Sequence, residues 1–260
     1  MDPADPGVVA EGSSPLPPPP PAVAALFPED RVDAAVAYAE RLATDGVVRG
    51  LIGPREAPRL WERHVLNCAL LAPALPEGAR VADIGSGAGL PGLVLAIARP
   101  DVTITLIEPL LRRTTFLEET VDALGLTNVV VVRGRADALH GTADFDVVTS
   151  RAVAPLDRLL EWSMPLVAPD GVLLAMKGSS AADEIAAAGS VLARLGCSDP
   201  VVESLGGDPE ADETTESGVR PIRIVRVTWA DPARVSLPSR PQRGPRGPRP
   251  SRGRSKRRKS

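Results

Sequence analysis

From Arg80 onward, short runs of β-branched residues alternate with longer stretches of helical spacing, and that alternation leaves the chain few architectures. The runs cover residues 80–84, 102–107, 129–133, 146–150, 172–176 and 221–229. Between them, residues 112–124, 156–166 and 181–195 carry apolar side chains at helical intervals. Strands separated by helices build an α/β fold, a doubly wound and mostly parallel sheet with helices on both faces. In the last run Ile222, Ile224, Val225 and Val227 interleave with Arg223 and Arg226, which predicts a half-exposed edge strand.

Ahead of the alternating region, Val32, Val36, Ala39 and Leu42 form one helical stripe that Gly46 interrupts. Gly53, Pro54 and Pro58 mark a turn, after which Leu60, Trp61, Val65 and Leu66 resume a helical face. Residues 1–24, with an unbroken proline run from Pro17 to Pro21, read as a disordered arm in extended, solvated form. The expected organisation is therefore a Pro-rich arm (1–24), an N-terminal helical segment (25–77), an α/β domain (78–230) and a disordered basic tail (231–260).

The net charge of -3 hides a split. Residues 231–260 hold eleven Lys or Arg against one acid, a net +10 that leaves -13 on the remainder. An acidic body repels a polyanion and the tail attracts one, so the tail suits non-specific, salt-sensitive contact with RNA. Cys68 and Cys197 fit neither a paired framework nor a metal-ligand spacing, so reduced thiols and no metal site are expected. No basic region followed by an apolar run opens the chain, and no apolar stretch approaches the roughly 20 residues that span a bilayer. A soluble, cytoplasmic protein without a membrane partner is the expectation.

The segment Asp83-Ile84-Gly85-Ser86-Gly87-Ala88-Gly89-Leu90-Pro91-Gly92 follows the first strand and precedes a helix. There, Gly85, Gly87 and Gly89 let the backbone approach a ligand closely at the sheet's carboxyl edge. Gly87, Gly89 and Gly92 also satisfy the spacing of a dinucleotide loop, so two nucleoside cofactors compete for it. Asp83 favours a methyl donor: its carboxylate suits the methionine ammonium of S-adenosylmethionine and would repel a pyrophosphate. Glu108, ending the second strand, can take ribose hydroxyls of either ligand. After the third strand, Ala136 and Asp137 stand where an adenine ring would lie, Asp137 suiting its exocyclic amine.

Taken together, these residues resemble the RsmG (GidB) family of small-subunit ribosomal RNA guanine-N7 methyltransferases. The resemblance runs from about Phe27 to Ala230. It is carried by Leu60-Trp61-Glu62-Arg63-His64-Val65-Leu66-Asn67, the loop from Asp83 to Gly92, Glu108-Pro109 with Arg112-Arg113, Ser150-Arg151-Ala152 and Leu174-Ala175-Met176-Lys177-Gly178. It implies a Rossmann-like class I methyltransferase fold that binds S-adenosyl-L-methionine through Gly85, Leu90, Ala136, Asp137 and Arg151. It also implies 16S rRNA or the small ribosomal subunit as partner, with N7 of a guanine in the 530-loop region as the acceptor. The arm and the tail fall outside it.

Guanine N7 attacks with a free lone pair and loses no proton, so no general base is expected. Arg151 and Lys177, ending neighbouring strands, are candidates for positioning the RNA, with Arg63, His64, Arg112 and Arg113 as further RNA contacts. A cytosine-C5 methyltransferase would need an activated cysteine, and an exocyclic-amine enzyme an Asn/Asp-Pro-Pro-aromatic segment where Ser150-Arg151-Ala152-Val153 stands. Two other classes compete: a NAD-dependent oxidoreductase, which Asp83 opposes, and a non-catalytic RNA-binding protein, which the intact loop opposes.

Overall fold

Strand β1 (Arg80–Ile84) carries four buried residues in five and sits between two parallel neighbours, β2 (Thr103–Glu108) and β4 (Phe145–Arg151). The computed structural model describes residues 15–207 and 219–235. Adding β3 (Val129–Arg133), β5 (Val167–Lys177), β6 (Val201–Leu205) and β7 (Ile222–Val227) gives seven strands in the order β3-β2-β1-β4-β5-β7-β6. The sheet is parallel from β3 to β5 and antiparallel at β7 and β6. Strand order reverses between β1 and β4, so the crossovers diverge there and open a crevice at the carboxyl edge, where ligands of doubly wound sheets bind.

Side chains alternate between the two faces with the period of a strand. Val81, Ile104, Leu106 and Val147 face one core; Ala82, Ile107 and Val148 face the other. The first core is covered by α4 (Gly92–Ala98) and α5 (Leu111–Ala123) together with the N-terminal helices α1 (Ala22–Leu26), α2 (Val32–Arg41) and α3 (Leu66–Ala69). The second is covered by α6 (Leu156–Ser163), α7 (Ala181–Ala187) and α8 (Gly189–Leu195). Buried residues from Ala22 through Leu106 form one cluster, so the N-terminal segment shares its core with the sheet. Among the described residues no helix is long and apolar enough to cross a membrane.

Three expectations are corrected. The run from Ile222 is not the edge: β7 lies between β5 and β6, and β6 is the outer strand. Arg226, whose charge suggested a solvent face, is paired across the ladder with Glu203 of β6. β6 escapes sequence reading because Val201 and Val202 are both exposed and the sequence Val-Val-Glu-Ser-Leu does not alternate apolar with polar residues. Gly46 does not end α2, because the chain continues through a π-helical turn (Leu42–Gly46) that absorbs it.

The third correction concerns the arm. From residue 15 it is packed against the helices: Trp61 Nε1 donates to the Pro17 carbonyl at 3.0 Å, Leu16 touches the core, and Ala22 and Val23 are buried in α1. A polyproline stretch leaves its carbonyls unpaired, and a neighbouring indole N–H can use one. Residues 1–14 and nearly all of the basic tail lie outside the described residues. Trp61→Phe keeps the ring and removes that donor. It should lower unfolding stability by about 1 kcal/mol in a urea titration, and an unchanged midpoint would show that the arm does not depend on this bond.

Candidate functional site

The loop after β1 is tied to its neighbour before any ligand is considered. The amides of Gly85 and Ser86 donate to the Ile107 carbonyl, at 2.8 and 3.2 Å, so the turn is anchored to the end of β2. Gly85 adopts φ 68°, and a Cβ there would meet Val153 Cγ2 at 2.7 Å. Gly92 opens α4 with no room for a Cβ, which would strike Leu106 Cδ2 and lie 2.7 Å from Asp83 Oδ2. The helix therefore begins directly over the Asp83 carboxyl.

Asp83 is fully buried. Its Oδ2 accepts the Gly92 amide at 3.1 Å, and its Oδ1 has no hydrogen-bond partner among the described residues. Burial pushes the carboxyl up to about 7 from an ordinary 3.8, only partly opposed by the Gly92 amide. Glu108 does the complementary work on the open side. Oε2 accepts the Gly87 amide and Oε1 the Leu110 amide, both at 3.0 Å, while Arg113 Nη1 stands 3.4 Å away.

A cavity of about 650 Å³ opens beyond the loop. Gly85, Gly87 and Leu90 of the loop line it, together with the apolar side chains of Ile84 and Ile107. Its polar lining includes Glu108, Arg113, Asp137 and Arg151, with Ala136 beside Asp137. Asp137 is half exposed and paired with Arg135 at 3.1 Å. Its size, and the mixture of apolar wall and few polar groups, match a nucleoside ligand site. Asp83 and Gly89 do not line it. The Asp83 carboxyl holds the start of α4 through Oδ2.

A second, larger cleft of about 1360 Å³ adjoins the first. His64, Arg151, Ala152 and Val153 line both cavities and so form the wall between them. Arg63 and Lys177 also line the cleft, whereas exposed Arg112 lines neither space. The wall is braced from two sides. Lys177 Nζ donates to the Ala154 carbonyl (2.8 Å) and to Glu184 Oε2 (2.7 Å), and the same Glu184 oxygen accepts the Leu156 amide at 3.0 Å. With its ammonium engaged twice and mostly buried, Lys177 fixes the loop after β4 and is not a free RNA contact. Ala152 takes φ 54°, a conformation that costs a non-glycine residue about 1 kcal/mol or more and that such a brace can hold.

The other side is supplied by the N-terminal segment. Arg151 Nη2 donates to the Arg63 carbonyl at 2.8 Å and lies 2.9 Å from His64 Nδ1, and Nη1 reaches Cys68 Sγ at 3.4 Å. His64 Nε2 is 3.0 Å from Glu56 Oε2. Sequence reading placed Arg63, His64 and Arg151 in the site and missed Glu56 and Cys68. The spacing from Glu56 to His64 gives no signal, because a 3₁₀ turn (Pro54–Arg59) and a π turn (Trp61–Val65) bring them together.

The family model described as "GidB: rRNA small subunit methyltransferase G" matches residues 31–211. The chain belongs to the GidB family. Among relatives named ribosomal RNA small subunit methyltransferase G, that of a Nocardioides species is 65% identical over 213 residues, covering 82% of each chain. That of Salinispora tropica is 52% identical over 232 residues, covering 86% of this chain and 96% of its own. An SAM-dependent O-methyltransferase from Thermotoga maritima shares the fold, with a TM-score of 0.51 at 15% identity over 74% of this chain and 71% of its own. The matched span thus covers the helical segment that supplies Arg63 and His64 as well as strands β1 to β6.

The raised Asp83 carboxyl carries a signed consequence for stability. Its favourable contribution is complete below the ordinary value of 3.8 and is lost as pH rises through about 7. Asp83→Asn does not titrate, so its melting temperature relative to the parent chain should increase between about pH 5 and about pH 8. A difference independent of pH would mean that Asp83 is ionised throughout.

Proposed function

We propose that this chain transfers the methyl group of S-adenosylmethionine to N7 of a guanine in the 530-loop region of 16S rRNA. As a member of the GidB family it is an S-adenosylmethionine-dependent methyltransferase of small-subunit ribosomal RNA. The observation that supports the finer reading is the shared wall. A pocket at the switch point of the sheet and a cleft lined by Arg59, Arg63, Arg220 and Arg223 meet at Arg151, Ala152 and Val153. A donor in one and a base in the other would face each other there.

The residues present fit the donor. Gly85, Gly87 and Leu90 would take the methionine and ribose portions against the backbone. Glu108 retains acceptor capacity for ribose hydroxyls after its two amide bonds, because a carboxylate offers about four lone pairs. Ala136 and Asp137 would meet the adenine, and Arg151 the donor carboxylate. The donor supplies an electrophilic sulfonium methyl, and the purine nitrogen supplies the electron pair.

No proton has to move, so the protein's task is alignment and exclusion of water. The braced loop from Arg151 to Leu156 performs the first and the apolar wall of Ile84 and Ile107 the second. The cleft arginines suit RNA phosphates, and Arg113 and the basic tail suit further non-specific contact, in the small subunit or its 16S rRNA within the cytoplasm.

Binding and turnover test separate parts of this reading. Calorimetric titration should show saturable binding of S-adenosylmethionine and none of NAD, and NAD binding alone would return the chain to oxidoreductase chemistry. Mass mapping of 16S rRNA from cells lacking the protein should show one N7-methylguanine missing. Retention of every such base would overturn the acceptor assignment.

A further inference from the structure

We propose that His64 is a positioning residue, whose Nδ1 accepts a hydrogen bond from Arg151 and thereby fixes the guanidinium at the junction of the donor pocket and the cleft. This rests on the reading of Arg151 as a donor ligand. The geometry assigns the tautomer. A guanidinium has only donors, so a ring nitrogen 2.9 Å from Arg151 Nη2 must present its lone pair. The proton then resides on Nε2, which donates to Glu56 Oε2 at 3.0 Å. A chain Glu56–His64–Arg151 runs from the 3₁₀ turn at Pro54–Arg59 to the end of β4.

Among the described residues, the three acceptors that engage Arg151 come from one short stretch: the Arg63 carbonyl, His64 Nδ1 and Cys68 Sγ. They use three of the five guanidinium N–H groups and leave the Nε–H and one Nη1–H without a partner among the described residues. Those two remain for a ligand carboxylate. His64 is the one acceptor of the three that can be switched off. Protonation at Nδ1 turns the acceptor into a donor and sets two cations against each other, so this hold on the guanidinium is lost.

Charged groups face the imidazole from each element around it. Glu56 lies on the 3₁₀ turn, Arg63 on its own π turn and Arg151 on β4, with the Cys68 thiol of α3 behind Arg151. Burial, then Arg151, hold His64 below the usual imidazole value, and Glu56 works in the opposite direction. At neutral pH the acceptor is therefore in place. It is lost as pH falls through the His64 value.

The test is calorimetric titration of the full chain with S-adenosylmethionine between about pH 8 and about pH 5, using the parent, His64→Asn, His64→Ala and Glu56→Gln. In the parent, affinity should fall about tenfold or more across the acid limb. The Asn Oδ1 can stand in for Nδ1 and does not titrate, so H64N should retain affinity at pH 8 and lose the limb. H64A should bind about tenfold or more weakly at pH 8. E56Q removes the carboxylate that favours the imidazolium, so its limb should move to lower pH.

A limb that persists unchanged in H64N belongs to another group, Asp83 foremost, and overturns the proposal. So does parent-like affinity of H64A at pH 8. If H64A fails to fold, an unmoved limb in E56Q overturns it equally. A parent chain that binds no S-adenosylmethionine at pH 8 defeats the functional reading itself, which is a different outcome from binding with H64N tracking the parent.

Discussion

The site depends first on two acidic side chains that hold a glycine loop at two points. Asp83 holds the first amide of α4, through Oδ2 and Gly92. Glu108 holds the loop's middle, through Oε2 and Gly87, while its other oxygen holds Leu110 at the start of α5. Because Asp83 and Glu108 lie in the last two residues of neighbouring parallel strands, the loop is fixed relative to the sheet rather than to its own helix alone. The absence of a Cβ at Gly92 is what lets the helix start so close to the acid. A buried carboxyl with one unpaired oxygen is costly, and the protein lowers that cost by favouring its neutral form. Backbone amides kept in place before a ligand arrives lose less entropy when it binds.

The N-terminal helices matter for a second reason than core burial. They supply one half of the wall between the two cavities, while the loop after β4 supplies the other. The two halves are secured independently. Arg63, His64 and Cys68 hold Arg151, and Lys177 with Glu184 holds Ala154 and Leu156. A strained Ala152 between them is consistent with a loop whose ends are both fixed. Loosening either half would move Arg151 or Val153, and alignment for direct methyl transfer tolerates little displacement.

What could be read from the sequence follows from the range of the interactions. Strands β1 to β5, the glycine loop and the acids at the strand ends are set by local periodicity and by where strands finish, and these were legible. Strand β6 was not, because Val201 and Val202 obtain their place by pairing with β7 rather than from any pattern of their own. Sequence places Asp83 at the loop, and only packing shows that one of its oxygens meets the first amide of α4. The contact between His64 and Arg151 spans 87 residues, and the two helical turns that make it possible are irregular ones that no 3.6-residue period announces. Lys177 illustrates the reverse error. A lysine at a strand end beside a cleft invites a nucleic-acid role, yet Glu184, seven residues on, already claims its ammonium.

Charge flow on the proposed reading explains why one cation stands at the wall. The donor brings a positive sulfonium to the pocket and the reaction ends with a positive purine in the cleft, so charge moves past Arg151 without changing in sum. A fixed cation near both ends of that path penalises the two states similarly, and what it contributes is placement of the donor carboxylate. The discrimination between the states then falls to the groups that differ across the wall. Glu56 and Glu62 line the cleft and not the pocket, and Glu108 lines the pocket and not the cleft. Because Glu56 is shared with His64, the same carboxylate that orients the wall also lowers the potential where the product charge appears. Contacts of the cleft with phosphates would contribute uniformly along the reaction and set affinity rather than rate.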